Sequence, residues 1–120
     1  MVIIGFALTM ESCQYKFAIE PIIPPPDPTD TIYFSQQVEP IWNNGSLCVS
    51  CHSGSLDPDL TTNNSYASLM DGGFVDTENP TESKIYAYVY PGASTHERQQ
   101  YTESQAAIIL QWIEQGALNN

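Results

Sequence analysis

Apolar positions recur along this chain at helical rather than alternating spacing. The clearest run lies near its end, where Ala106, Ile109, Leu110 and Ile113 fall three or four apart and Trp112 widens the face. Thr102-Glu103-Ser104-Gln105 reads as a capping box in front of that run, and Gly116 supplies a stop behind it, so the spacing predicts a helix over 106–115. Asn79-Pro80-Thr81-Glu82 places an N-cap residue, a proline and a glutamate in the order of a helix start, with Ile85, Tyr86 and Val89 as the apolar face. A shorter helix is expected at Tyr66–Met70, closed by Gly72-Gly73. Another is expected through Gln37, Val38, Ile41 and Trp42, capped by Ser35 and ended by Asn44-Gly45. No alternating run of strand length and no internal repeat occurs. The pattern predicts an all-α chain of four to five short helices.

The first thirty residues follow a different pattern. Residues 2–10 form an apolar run too short to span a bilayer, and it ends at Glu11-Ser12-Cys13. That arrangement resembles the end of a bacterial lipoprotein signal, although Glu11 stands where a small residue is usual. The resemblance implies export, cleavage and a lipid on Cys13, against the plainer reading of a leftover thiol. Five prolines between Pro21 and Pro28 exclude helix and central strand and predict an extended spacer. The expected organisation is a signal over 1–13, a Pro-rich linker over 14–30 and one folded domain over 31–120.

Charge narrows the partners. Three basic residues stand against fourteen acidic ones, for a net charge of -11, so nothing here could neutralise a nucleic-acid backbone. The acidity reads either as a solvated surface or as steering toward a basic partner. At 120 residues with 42% hydrophobic content, the chain can bury a core, but a domain this small gains from a staple.

Cys48-Val49-Ser50-Cys51-His52 supplies a candidate for that staple, because C-x-x-C-H is the spacing that attaches a c-type haem. Two thiols add across two vinyl groups, and the adjacent imidazole reaches the iron. The alternatives are a Cys48–Cys51 disulfide or half of a zinc site. Zinc would need a second tight cluster of ligands, and outside the motif only His96 and Cys13 remain. A bare redox pair would call for a βαβ pattern that is absent. Covalent haem is formed outside the cytoplasm in bacteria, which agrees with the export signal.

His52 is then the expected proximal ligand, and the opposite face of the iron decides between electron transfer and ligand chemistry. Met1 and Met10 lie in the signal, leaving His96 and Met70 as protein candidates. His96 sits in the polar loop Pro91–Arg98, which can fold over a ring face. Met70 sits in an apolar helical stretch, where methionine is more often core filler. An open or water-bound iron is the third reading.

Residues 33–118 resemble a bacterial monohaem cytochrome c domain of the class I type. The resemblance rests on Val38-Glu39-Pro40-Ile41-Trp42, on Cys48-Val49-Ser50-Cys51-His52 and on Ile109-Leu110-Gln111-Trp112-Ile113-Glu114-Gln115-Gly116-Ala117. It implies four to five short helices around one covalently bound haem, thioethers at Cys48 and Cys51, iron on His52, and first and last helices that cross at Trp42 and Trp112. The family usually takes a methionine from the loop before the last helix. This loop has none. The resemblance implies an electron carrier rather than an enzyme, with redox proteins as partners and a periplasmic or outer-membrane-anchored location. The alternative is a haem-based sensor or small-ligand enzyme with an open sixth position.

Overall fold

The computed structural model describes residues 24–45, 48–96 and 98–120. Among them every regular element is helical and there is no strand, as a chain without alternating apolar runs requires. The expected signal over 1–13, Cys13 and the first part of the linker lie outside the described residues.

The chain enters through a π-helical turn, Phe34–Val38, continuous with helix α1, Glu39–Asn43. Ser35 does not cap it, contrary to the expectation from sequence. Tyr33 holds that place, and the Ser35 hydroxyl donates instead to the Asn120 carbonyl at 3.0 Å. The cause is Pro40, which has no N–H to continue an α ladder. The hydrogen bonds widen to the π register just before it, with the Glu39 N–H donating to the Phe34 carbonyl.

Helix α2 is the single turn Cys48–Cys51, and α3 is Ser65–Asp71. The start signal at Asn79 yields only a 3-10 turn, Pro80–Glu82, before the chain breaks at Ser83. The Ser83 hydroxyl is engaged by Asp76, accepting its N–H at 2.8 Å and donating to its carbonyl at 3.2 Å. This pairing holds Ser83 in an extended conformation, and the helix resumes as α4, Lys84–Ala87. Helix α5, Glu103–Glu114, opens with the expected capping box. Thr102 Oγ1 accepts from the Gln105 N–H at 3.2 Å, while Gln105 Oε1 accepts from the Thr102 N–H at 2.9 Å.

Helices α3 and α5 stop in the same way. The Phe74 N–H donates back to Leu69 and the Gly73 N–H to Met70, just as Ala117 donates to Trp112 and Gly116 to Ile113. Each motif needs a left-handed residue after the last turn, and Gly73 (φ 67°) and Gly116 (φ 97°) provide it.

The core forms between the entry turn and α5. Trp42 and Trp112 are fully buried, and Phe34 packs against both, with centroids 6.1 and 5.2 Å away. Tyr66 closes edge-on at 5.3 Å, and its hydroxyl donates to the Ala117 carbonyl. Such aromatic pairs add about 0.5–1.5 kcal/mol each beyond their buried area. Phe34, on the π-helical turn, thus bridges Trp42 of α1 and Trp112 of α5.

The last linker residues are docked rather than extended. Gln111 and Gln115 donate to the Asp30 carbonyl at 2.9 and 2.7 Å, and Gln111 also donates to that of Asp27 at 2.8 Å. Asp27 folds the segment into a turn by accepting the Thr29 N–H and hydroxyl, which lower its pKa.

Candidate functional site

A cavity of about 820 Å³ opens between α2, α4 and the two long loops, within the range of roughly 300–1,000 Å³ common for ligand and cofactor sites. Its walls are predominantly apolar. The structure brings Cys48, Cys51, His52 and His96 to it. Met70 is half-buried against the hydrophobic core and does not line the cavity.

Helix α2 presents the motif. Cys48 and Cys51 are partly buried on one turn and are not joined by a disulfide, and the His52 N–H donates to the Cys48 carbonyl at 2.9 Å, so the imidazole leaves the helix at its last hydrogen bond. The loop after it closes on itself, with the Leu60 N–H donating to the His52 carbonyl at 2.9 Å. Inside this loop His52 Nδ1 lies 3.1 Å from the Pro58 carbonyl oxygen and 3.3 Å from that of Leu56. Carbonyls only accept, so the neutral ring carries its proton on Nδ1, and Nε2 is left with the free lone pair. Metal-bound histidines are oriented in this way by their second nitrogen.

Asp59 ties the loop down. Its N–H donates to the Ser68 hydroxyl on α3 at 2.8 Å, and its carboxylate accepts the Thr61 hydroxyl and N–H at 2.6 and 3.0 Å. The Thr61 bonds, side chain first, hold the Asp59 carboxyl below its ordinary pKa.

His96 reaches the cavity from the loop before α5. The Gln100 side chain holds that loop, accepting the Gly92 N–H at 3.0 Å and donating to the Ala93 carbonyl, and Thr95 donates to the Tyr88 carbonyl at 3.0 Å. The two imidazoles face each other with centroids 6.3 Å apart and planes 21° from parallel. His96 Nδ1 is buried and has no hydrogen-bond partner among the described residues. A buried polar atom left unpaired costs about 1–3 kcal/mol, so this nitrogen fits a site completed by something besides the protein.

The cavity wall between the two loops carries a buried polar pair, in which Trp42 Nε1 donates to the Tyr101 hydroxyl at 3.0 Å. Burial pushes the Tyr101 phenol far above its ordinary pKa, Cys48 adds to this, and the Trp42 bond opposes it.

Pro58, Gln100 and Tyr101 escaped the sequence reading. Pro58 acts through its carbonyl and Gln100 through a loop clamp, and neither role has a local signature. Tyr101 could have been suspected as the residue just ahead of a capping box. Among the described residues, no three His, Cys, Asp or Glu side chains converge in a way that would hold a metal ion. Also among them, no helix is long and apolar enough to cross a membrane. Searches of protein-family models, curated proteins and solved structures find no match to this chain.

Proposed function

We propose that this chain is an exported electron carrier of the cytochrome c type, with one haem held in the cavity through Cys48, Cys51, His52 and His96. The observation that carries the reading is that two histidines from separate loops line one cavity together with both thiols of the C-x-x-C pair. Two imidazoles that shared one metal ion would need ring centres about 6 Å apart, given metal–nitrogen bonds of about 2.0 Å. The ring-centre separation of 6.3 Å is compatible with that reach. The C-x-x-C-H spacing supplies the thiols beside one of the two rings.

When bound, haem supplies a single-electron couple, ferric to ferrous, with the electron taken from one partner protein and passed to another. The chain does the rest. Cys48 and Cys51 tether the ring, Pro58 fixes the His52 tautomer, and Gln100 holds the loop that carries His96. Walls such as Ile85, Leu60 and Trp42 keep water from the metal. Two protein ligands leave no position for a substrate, which favours a carrier over a sensor. The same set disfavours zinc, because the cysteines and histidines do not converge on one point.

The test is the visible spectrum of protein exported from a host with a cytochrome c assembly system. Low-spin bands in both oxidation states, with haem retained on a denaturing gel, are expected. Wild-type protein without gel-stable haem would refute the proposal, and strong carbon monoxide binding by the reduced wild type would move it to a sensor or small-ligand enzyme. The Cys48→Ala, Cys51→Ala protein should lose the gel-stable haem.

A further inference from the structure

The chain has three basic side chains in all, Lys16, Lys84 and Arg98. Two of them, Lys84 and Arg98, line the one cavity that holds the histidines. Of the fourteen acidic residues, Asp57 alone lines it among the described residues. In a chain with a net charge of -11, both cations among the described residues thus stand at an apolar cavity.

Neither cation is used up there. Lys84 Nζ lies 5.9 Å from the centre of the Phe74 ring, a cation–π contact, and neither Lys84 nor Arg98 is ion-paired with a carboxylate among the described residues. Both side chains are exposed, so their apolar stems can lie along the cavity wall while the heads stay at its rim. An apolar cavity lined by two exposed cations fits an amphipathic ligand that is flat and apolar over its body and anionic along one edge.

We infer that Arg98 and Lys84 hold the carboxylates of the bound tetrapyrrole, and so orient it in the cavity. The inference rests on the haem reading. Arg98, with its planar fork, is suited to a two-point bond, and Lys84 acts as a point charge. Both cations also bear on the redox couple. The ferric state carries one more positive charge than the ferrous, so a nearby cation favours reduction, and its removal lowers the midpoint potential.

The experiment compares wild type with Arg98→Gln, Lys84→Gln and the double variant, each matured to the covalent haem protein. Gln36→Glu, at an exposed position outside the cavity, makes the same change in net charge and serves as control. Both single variants should lower the midpoint potential, the double variant should lower it further, and the control should leave it in place. The shifts should shrink as salt is raised. Resonance Raman bands of carboxylate bending on the ring should move in Arg98→Gln and be largely restored in Arg98→Lys. Variants that retain covalent haem but behave like the control in both readouts would overturn this inference and leave the electron-carrier reading standing. Absence of covalent haem in the wild type would overturn both.

Discussion

His52 Nδ1 sits 3.1 Å from the carbonyl oxygen of Pro58, and this contact decides which nitrogen of the ring the cavity receives. The motif can place an imidazole beside two thiols, but it cannot choose the tautomer. A carbonyl six residues on makes that choice, because it accepts a proton and offers none. The loop holding Pro58 is itself fastened by Asp59 to Ser68 on α3, so the orientation of His52 depends on the helix behind it.

If a haem is held between His52 and His96 as proposed, His96→Ala should open one coordination position. The variant is expected to become at least partly high-spin and, when reduced, to bind carbon monoxide, while Met70→Leu leaves the spectrum unchanged because Met70 lies outside the cavity. Difference spectra of the three proteins check this. A methionine-to-iron band in the wild type that disappears in Met70→Leu would transfer the ligand role to Met70.

On the same reading, Gln100→Ala should loosen the loop that carries His96 while leaving the His96 imidazole in the chain. Three backbone groups of that loop, the Gly92 N–H and the Ala93 and His96 carbonyls, would lose their bonds to Gln100. The expected result is a high-spin fraction that grows on warming, well below the unfolding transition, and faster carbon monoxide binding than in wild type. Temperature-dependent spectra and stopped-flow mixing would measure both.

Trp42 and Tyr101 form a buried pair whose two halves should not be equivalent to lose singly. Tyr101→Phe removes the hydrogen bond that the Trp42 N–H donates and should cost about 1 kcal/mol, the net worth of such a bond. Trp42→Phe in the same background removes that donor, so the double variant should lose less than the sum of the two singles. Urea unfolding of all four proteins closes the cycle.

Acid should weaken the fold below the ordinary Asp range. The carboxyl of Asp59 is held low by Thr61, that of Asp76 by Asn79, and that of Asp27 by Thr29. A folded-state pKa below the unfolded one means the unfolded chain binds more protons in that window. The stabilisation is therefore complete above about pH 4 and lost as pH falls through the folded values. Asp59→Asn should flatten this acid limb in thermal melts taken between pH 5 and 2, and it should leave the neutral-to-alkaline part of the profile in place.

Much of this protein was legible in its sequence wherever one local interaction decides the outcome. The α5 capping box, the glycine stops after α3 and α5, the helical class and the Cys48-Cys51-His52 triplet all depend on residues within one turn of each other. Ser35 and Asn79 show the limit. Both carry a good local start signal, yet Ser35 is drawn away by Asn120, and the helix begun at Asn79 is interrupted where Ser83 binds Asp76. The candidate site lay beyond local reading for the same reason. His96 meets His52 across 44 positions of chain, Lys84 arrives from α4 and Arg98 from the loop that carries His96, and the Pro58 carbonyl acts through backbone chemistry that every residue shares. Sequence determined which groups are present and which turns they can form. Only the packing of Phe34, Trp42 and Trp112, with the loops it holds apart, determined that two imidazoles face each other across an apolar space, because distance between remote residues is set by the core they share.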